Sequence, residues 1–152
     1  MSPRAAALIL TALLLLPASA GAQQPQPSPQ RVPAFDQARV YTREADFQRA
    51  IAPYLAAIAA NPRHARAHYW LGVAYLYAFR QYRTGLAPYA AGFVPRAVAS
   101  LRQAVQLDAN FIPGYVVLHD AFVLAGDLEE AAKVVAEISK RTTPAGLPYT
   151  LP

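Results

Sequence analysis

Apolar residues recur at three- and four-residue steps along most of the chain, which is the spacing of one face of an α-helix. The pattern covers residues 35–141, where alanine, leucine, arginine, glutamate and glutamine dominate. Glycine, proline and asparagine interrupt it at five places: Asn61-Pro62, Thr84-Gly85, residues 92–95, residues 110–114 and Gly126-Asp127. The sequence therefore predicts an all-α fold of several helices joined by short turns.

The helical pattern also repeats along the chain. One set of three positions occurs in three segments, 47 and then 34 residues apart: Ala50, Tyr54 and Ala57; Ala97, Leu101 and Ala104; Ala131, Val135 and Ile138. A second set occurs twice, 47 residues apart: His68, Leu71, Gly72 and Tyr75; Tyr115, Leu118, His119 and Phe122. A shared spacing at independent positions indicates internal repeats, and the difference 47 − 34 = 13 indicates an insertion in the middle one.

The segment HYWLGVAY resembles the first half of the tetratricopeptide repeat (TPR) signature, W-x2-L-G-x2-Y followed by A-x3-F and P, with a period of 34 residues. The match runs through Leu71, Gly72 and Tyr75, with His68 at the tryptophan position. The segment AGDLEEAAKVV is similar to the turn between paired helices, with Gly126 at the bend. His119 replaces the signature glycine in the last repeat.

The resemblance covers about residues 34–141, and its first helix fits least well. It implies a short right-handed helix-turn-helix solenoid of about three repeats: residues 34–64, 65–111 with an inserted loop, and 112–141. Small residues such as Gly72 should let helix backbones approach closely. The space between helix layers should be filled by five larger residues: Tyr54, Tyr75, Leu101, Phe122 and Val135. Pro53 should kink or delay the helix in which it lies.

The 13 surplus residues fall between Tyr75 and Ala97. Apolar residues continue at helical spacing as far as Tyr82, which predicts a helix about two turns longer than usual, ending at Thr84-Gly85 with glycine as its cap. LAPYAAGF then forms a loop, and Pro95 lies in the first turn of the next helix.

Two candidate binding surfaces follow. The insertion supplies an aromatic and basic ledge: Arg80, Tyr82, Arg83, Tyr89 and Phe93. Such residues are common in interface hot spots, but they could equally pack against neighbouring helices, an alternative that suits Phe79 and Phe93 better than Tyr82, Arg83 or Tyr89. The resemblance also implies a groove lined by the first helix of each repeat: Arg66, Tyr69, Val73, Val116 and Asp120. It lacks the basic and asparagine set with which some repeats grip a terminal carboxylate.

The amino-terminal residues predict export. Residues 1–22 are typical of a secretory signal peptide, with Arg4 before an apolar run at residues 5–16 and small residues before a cleavage site at Ala22 or Ala20. An uncleaved membrane anchor is the alternative. Arginine outnumbers lysine 12 to 2 and alanine and proline are frequent, which suggests a GC-rich bacterial genome. We therefore expect a periplasmic or secreted protein with no stable membrane span after cleavage.

Proline-rich segments flank the helical region. Residues 23–33 predict an extended Pro/Gln-rich linker, and residues 142–152 an irregular tail. Leu147, Tyr149 and Leu151 in that tail either drape over the last helix or form a docking strand for a partner.

Charge is distributed unevenly. Residues 31–107 carry ten arginines against three acids, whereas residues 108–152 carry six acids against three bases. These opposed halves could favour head-to-tail self-association or an acidic ligand, or they could be ordinary solvated helix faces. The chain contains no cysteine, which excludes a disulfide framework and a lipidated cysteine.

No pattern predicts catalysis. His64 and His68 are four residues apart, but two ligands do not complete a zinc site, and no glycine-rich phosphate loop exists. We therefore expect a non-catalytic, exported TPR-like scaffold without cofactor or metal. Its partner would be another envelope protein or peptide, with a homo-oligomer as a further possibility. A small anionic ligand, or catalysis, at Arg80, Tyr82 and Arg83 is the alternative. We expect no nucleic-acid partner, because exported proteins rarely meet nucleic acid.

Overall fold

The computed structural model describes residues 31–142, and within this range the chain is α-helical without a β-strand. It consists of five α-helices and one short 3-10 helix: α1 (Glu44–Ala60), α2 (Ala65–Arg83), the 3-10 helix (Pro88–Ala90), α3 (Phe93–Leu107), α4 (Ile112–Ala125) and α5 (Leu128–Thr142). The predicted all-α class is confirmed. The predicted signal peptide, most of the linker, and nearly all of the tail, including Leu147, Tyr149 and Leu151, lie outside the described residues.

The helices pack in chain order. α1 contacts α2, α2 contacts α3 over the most extensive interface, α3 contacts α4, and α4 contacts α5. α2 also touches α4 directly, so these two alternate helices share one side of the stack. This order places α1 and α5 at its two ends.

Residues 31–43, the N-terminal segment, form no helix, so the helical prediction is wrong for residues 35–43. A local turn competes with the helix, because the carboxylate of Asp36 accepts a hydrogen bond from the backbone N–H of Ala38 at 3.0 Å. Phe35 and Tyr41 are nevertheless buried, with their rings stacked at 5.3 Å and both in contact with Tyr77 of α2. The N-terminal segment therefore packs where a first helix was expected.

Gln81 of α2 holds this segment in place. Its side-chain oxygen accepts from the backbone N–H of Tyr41 at 3.0 Å, and its side-chain N–H donates to the carbonyl of Arg39 at 3.1 Å. Gln81 is buried, and both polar ends of its amide are satisfied by backbone more than 39 residues away in sequence. These two hydrogen bonds pair backbone groups that a helix would otherwise have paired within itself.

We expect Gln81→Leu to lower the free energy of unfolding by about 1–2 kcal/mol, because it leaves the buried N–H of Tyr41 without an acceptor. Urea denaturation measures this loss, and hydrogen exchange at the Tyr41 amide should accelerate by more than the global change alone explains. Gln106→Leu, an exposed change on α3, is the control and should stay within about 0.5 kcal/mol. Unchanged protection of the Tyr41 amide would show that Gln81 does not hold the segment.

Pro53 does not delay α1. The helix begins at Glu44 and runs through Pro53 to Ala60. Proline removes one N–H and blocks the carbonyl four residues earlier, that of Arg49. Both Arg49 and Pro53 are exposed, so water can reach this break. The expected delay is therefore wrong, because the missing hydrogen bond falls on the solvent side of the helix.

The lengthened α2 is confirmed. The helix ends at Arg83, Thr84 caps it, and Gly85 adopts a left-handed φ of 80°. The N–H of Gly85 donates to the carbonyl of Tyr82, and the N–H of Leu86 donates to that of Gln81, each at 2.9 Å. This is the pattern of a glycine-terminated helix, and Pro95 lies in the first turn of α3 as predicted.

The core confirms most of the predicted layer contacts. Tyr54, Leu101 and Phe122 are buried, and Tyr75 is partly buried between the two core clusters. The backbone of Gly72 lies directly against the side chain of Leu101 on α3, with no room for a Cβ atom between them. Val135 is 47% exposed, so its predicted role as a layer filler is wrong. It faces away from α4, and no other helix within residues 31–142 packs extensively over it.

Candidate binding groove

A cleft of about 80 Å³ opens between α2, α4 and the N-terminal segment. Its walls come from all three elements: Tyr69, Val73, Leu76, Tyr77 and Arg80 of α2; Val117 and Asp120 of α4; Gln37 of the segment. The α2 residues follow three- and four-residue steps, so the helix presents them on one face. Five of the eight lining residues are apolar or aromatic, but polar atoms make up most of the surface that faces into the cleft.

An ion pair crosses the rim of the cleft. The guanidinium of Arg80 on α2 donates to the carboxylate of Asp120 on α4 at 3.1 Å, with each side chain about half exposed. Nδ1 of His119 lies 3.5 Å from the other Asp120 oxygen. An exposed pair of this kind contributes about 0–1 kcal/mol. A charged group of a ligand could therefore exchange partners with it at little cost.

Aromatic side chains surround one end of the groove. The ring of Tyr69 lies 4.8 Å from that of Trp70 and 4.9 Å from that of Phe111. The guanidinium of Arg66 sits 3.8 Å above the Phe111 ring, a favourable cation–π arrangement. Burial raises the pKa of Tyr69, so its hydroxyl stays protonated at neutral pH. This end offers a neutral phenol and an oriented cation.

The predicted groove residues lie on the expected side of the stack. Tyr69, Val73 and Asp120 line the cleft itself. Arg66 lies one turn before Tyr69 on α2, with its guanidinium over the ring of Phe111. Val116 is exposed on α4 but does not line the cleft.

The predicted ledge is not one surface. Phe93 is only 4% exposed, with its ring 5.3 Å from Phe47 and 5.1 Å from Tyr75, so its assignment to an exposed ledge is wrong. Phe93 is buried because its ring packs against that of Phe47 on α1. Arg80 belongs to the rim of the cleft.

Tyr89 is partly buried and ties the inserted loop to the N-terminal segment. Its hydroxyl donates to the carbonyl of Tyr41 at 2.7 Å, and burial raises its pKa to about 12. Tyr82 and Arg83 remain exposed at the end of α2, beside the exposed Leu86. The ring of Tyr82 lies 5.8 Å from that of Phe79. Of the predicted ledge residues, Tyr82, Arg83 and the half-exposed Arg80 remain accessible to a partner.

The sequence analysis missed four residues that line the cleft: Gln37, Leu76, Tyr77 and Val117. Tyr77 could have been found, because it lies four residues after Val73 on the same helix face. Val117 is the neighbour of the chosen Val116, and a one-residue error in register explains its omission. Gln37 carried no local signal, since its position depends on the distant contacts of the N-terminal segment with α2.

The histidines of α2 make local structural contacts. Nδ1 of His64 accepts from the backbone N–H of Ala67 at 3.3 Å at the start of the helix, and Nε2 of His68 lies 2.9 Å from the carbonyl of Pro62. Within residues 31–142, no three His, Cys, Asp or Glu side chains converge as a metal site would require. None of the helices in this range is long and apolar enough to cross a membrane.

A second, more open cavity of about 320 Å³ lies between the start of α3 and the end of α4. Its lining is Pro95, Val98, Ala99, Arg102, Phe122, Ala125 and Asp127. Arg102 is paired with Glu130 at 3.0 Å and lies 4.9 Å from the Phe122 ring. The cavity therefore lacks the convergent polar groups of a specific small-molecule site.

Comparison with known proteins adds no relative. No protein-family model matches the chain, and no curated protein matches its sequence. The likeness to TPR proteins therefore rests on the motif residues themselves, and function has to be argued from the groove.

Proposed function

We propose that the chain is a short TPR-like solenoid, exported to the bacterial envelope or beyond, that binds a segment of another protein without catalysing a reaction. Three features support this: paired helices stacked in chain order, alternate helices α2 and α4 sharing one side, and a cleft at their junction. The N-terminal segment takes the place of the first helix in the first of about three repeats. The signal-like residues 1–22 support export.

The size of the cleft favours a protein or peptide partner over a small molecule. Small-molecule pockets usually measure about 300–1,000 Å³, whereas this cleft measures about 80 Å³. It has room for about one side chain, which suits a partner that inserts a single anchor residue and rests its backbone along the helices. Arg80 and Asp120 at the rim offer both signs of charge to the flanking residues of that partner.

Arg83 extends this proposed surface past the end of α2. It is exposed and lies one helical turn after Arg80, so a partner lying along the helix could contact both residues. Tyr82 is also exposed but lies only two residues after Arg80, on a different side of the helix, and this disfavours one small anionic ligand held by Arg80, Tyr82 and Arg83 together.

A displayed peptide library, selected on the purified chain, tests the proposal. Selected peptides should bind Arg80→Glu at least tenfold more weakly, a loss of about 1.4 kcal/mol, because the reversal places two carboxylates at the rim. Arg83→Glu makes the same change at the end of α2, and Arg96→Glu makes it on the exposed part of α3 as the control. A loss in Arg83→Glu alone would move the site to the α2 end. Equal binding by all three variants would refute both surfaces.

A further inference from the structure

The groove side of α2 carries arginines at both ends and apolar or aromatic residues between them. Six residues follow one another at three- and four-residue steps and therefore share this side of the helix: Arg66, Tyr69, Val73, Leu76, Arg80 and Arg83. The middle four line the cleft, whereas Arg66 and Arg83 lie beyond its two ends. An elongated partner that fills the cleft would therefore meet a cation on either side of it.

These two arginines are available to an anionic partner. Arg66 and Arg83 are exposed, and neither pairs with a carboxylate among residues 31–142, whereas Arg80 pairs with Asp120. The ring of Phe111 holds the guanidinium of Arg66 in place without neutralising its charge. Asp120 is the only acid on α2 and α4, so three arginines and one aspartate give these two helices a net charge of +2, with histidines neutral.

α4 supplies an apolar edge beside the basic one. α2 and α4 run in the same direction, because the start of α4 lies beside Tyr69 while Arg80 pairs with Asp120 further along both helices. Val116 and Val123 lie one turn before and one turn after Asp120 on the same side of α4, and each is about half exposed. The groove therefore combines a row of cations along α2 with exposed valines along α4.

We propose that this groove binds an extended acidic peptide segment, in which one anchor residue is flanked by two carboxylates that pair with Arg66 and Arg83. The inference rests on the proposed peptide-binding function and names the class of peptide. The two arginines lie 17 positions apart on α2, which corresponds to about 25 Å along a helix. An extended chain covers that distance in about seven or eight residues. The two acids of the partner should therefore be seven or eight positions apart.

Other classes of partner fit the groove less well. A basic segment would find one carboxylate, that of Asp120, which Arg80 already occupies, and like charges across an interface oppose association. A nucleic acid would pair with the arginines, but its phosphates would gain nothing from the exposed Val116 and Val123. A peptide with acidic and apolar residues uses both edges.

Peptides selected from the displayed library on the full chain test this pattern. They should carry two acids seven or eight positions apart more often than the unselected library does. The tightest of them is then synthesised in three forms: with its acids in place, with both acids moved next to each other, and with both replaced by their amides. The first form should bind at least about tenfold more tightly than the third. It should also bind severalfold more tightly than the second, which carries the same charge.

Variants of the two arginines assign the contacts. Arg66→Gln and Arg83→Gln should each weaken binding of the first form severalfold and leave binding of the amide form unchanged. Arg66→Lys, which keeps the charge, should recover most of the affinity. Arg96→Gln removes the same charge from an exposed position of α3 and is the matched control, with native affinity expected. Raising the ionic strength from about 0.01 M to about 0.1 M, which shortens the screening length from about 30 Å to about 10 Å, should weaken the first form more than the amide form.

Other outcomes overturn the inference. Selected peptides without paired acids would overturn it and leave the proposed peptide binding intact, whereas a library that yields no binding peptide would overturn both. Equal affinity of the first two forms would mean that net charge alone attracts the peptide and that Arg66 and Arg83 are not two separate contacts. A short single-stranded DNA that displaces the selected peptides and loses affinity in Arg66→Gln and Arg83→Gln would assign these arginines to a nucleic acid instead.

Discussion

Phe47→Ala is expected to lower the free energy of unfolding by about 3–5 kcal/mol, the usual cost of removing a fully buried aromatic side chain. Phe47 has no exposed surface. Its ring centroid lies within 6.5 Å of five others, those of Phe35, Tyr41, Tyr75, Tyr89 and Phe93. We therefore expect the variant to be among the least stable single substitutions in the chain.

The cost should fall at the high end because the cavity cannot collapse easily. The five neighbouring rings belong to four different elements: the N-terminal segment, α2, the inserted loop and α3. A shift of any one ring into the space would pull its own element away from other contacts, such as the hydrogen bond from Tyr89 to the carbonyl of Tyr41. A site that relaxes little retains the full cavity penalty.

Urea denaturation followed by circular dichroism measures this loss. Leu86→Ala is the matched control, since Leu86 is a large apolar residue that is 44% exposed in the loop after α2. It should cost less than about 1 kcal/mol. Equal losses in the two variants would show that the aromatic cluster around Phe47 is not the centre of stability.

The local part of the fold could be predicted from the sequence. The ends of α2 and α4 depend on Gly85 and Gly126, whose left-handed backbone is set by residue type within one turn. The helix ends depend only on neighbours within about four residues, and the sequence contains that information directly. The resemblance to TPR proteins supplied the register by which Tyr69, Val73 and Asp120 were assigned to a groove, and these three residues line the cleft.

The N-terminal segment could not be predicted in this way. Its backbone is held by Gln81, forty residues later, and its side chains are held by the rings of Phe47 and Tyr77. The helical pattern of residues 35–43 is weak, and these distant contacts determine the backbone instead. Gln37 lies in the cleft wall for the same reason, so this side of the candidate site could not be predicted from the sequence.

The inserted loop shows a related limit. Tyr82, Tyr89 and Phe93 look alike in composition, and a sequence pattern offers no reason to separate them. Their roles differ because Phe47 and the carbonyl of Tyr41 stand next to Phe93 and Tyr89 but not next to Tyr82. The loop thereby fastens α2 and α3 to the N-terminal segment, and Tyr82 is the one of these three aromatic residues that remains exposed. The aromatic residues of the insertion are thus mostly structural.

Gly72→Val is expected to destabilise the chain by about 3 kcal/mol or more, and Gly72→Ala by about 1–3 kcal/mol. A Cβ on Gly72 would lie 2.5 Å from Cγ of Leu101, 2.9 Å from its Cδ2 and 3.3 Å from the carbonyl oxygen of Ala97. Alanine in a helix interior normally gains about 1 kcal/mol over glycine. Here the clash outweighs that gain, because Cγ and Cδ2 of Leu101 both lie within 3.0 Å of the new Cβ and Leu101 is fully buried, so its side chain has no open space to move into.

Thermal and urea denaturation of the Gly72 variants, a control and a double variant checks this explanation. Gly92→Ala is the matched control, since nothing lies within 4 Å of its Cβ position and its φ is −98°. That change should be neutral or stabilise by up to about 1 kcal/mol. If the Leu101 side chain causes the clash, Gly72→Ala combined with Leu101→Ala should cost clearly less than the sum of the two single changes. Additive losses would mean that the close approach of α2 and α3 is limited by the backbone at Ala97 instead.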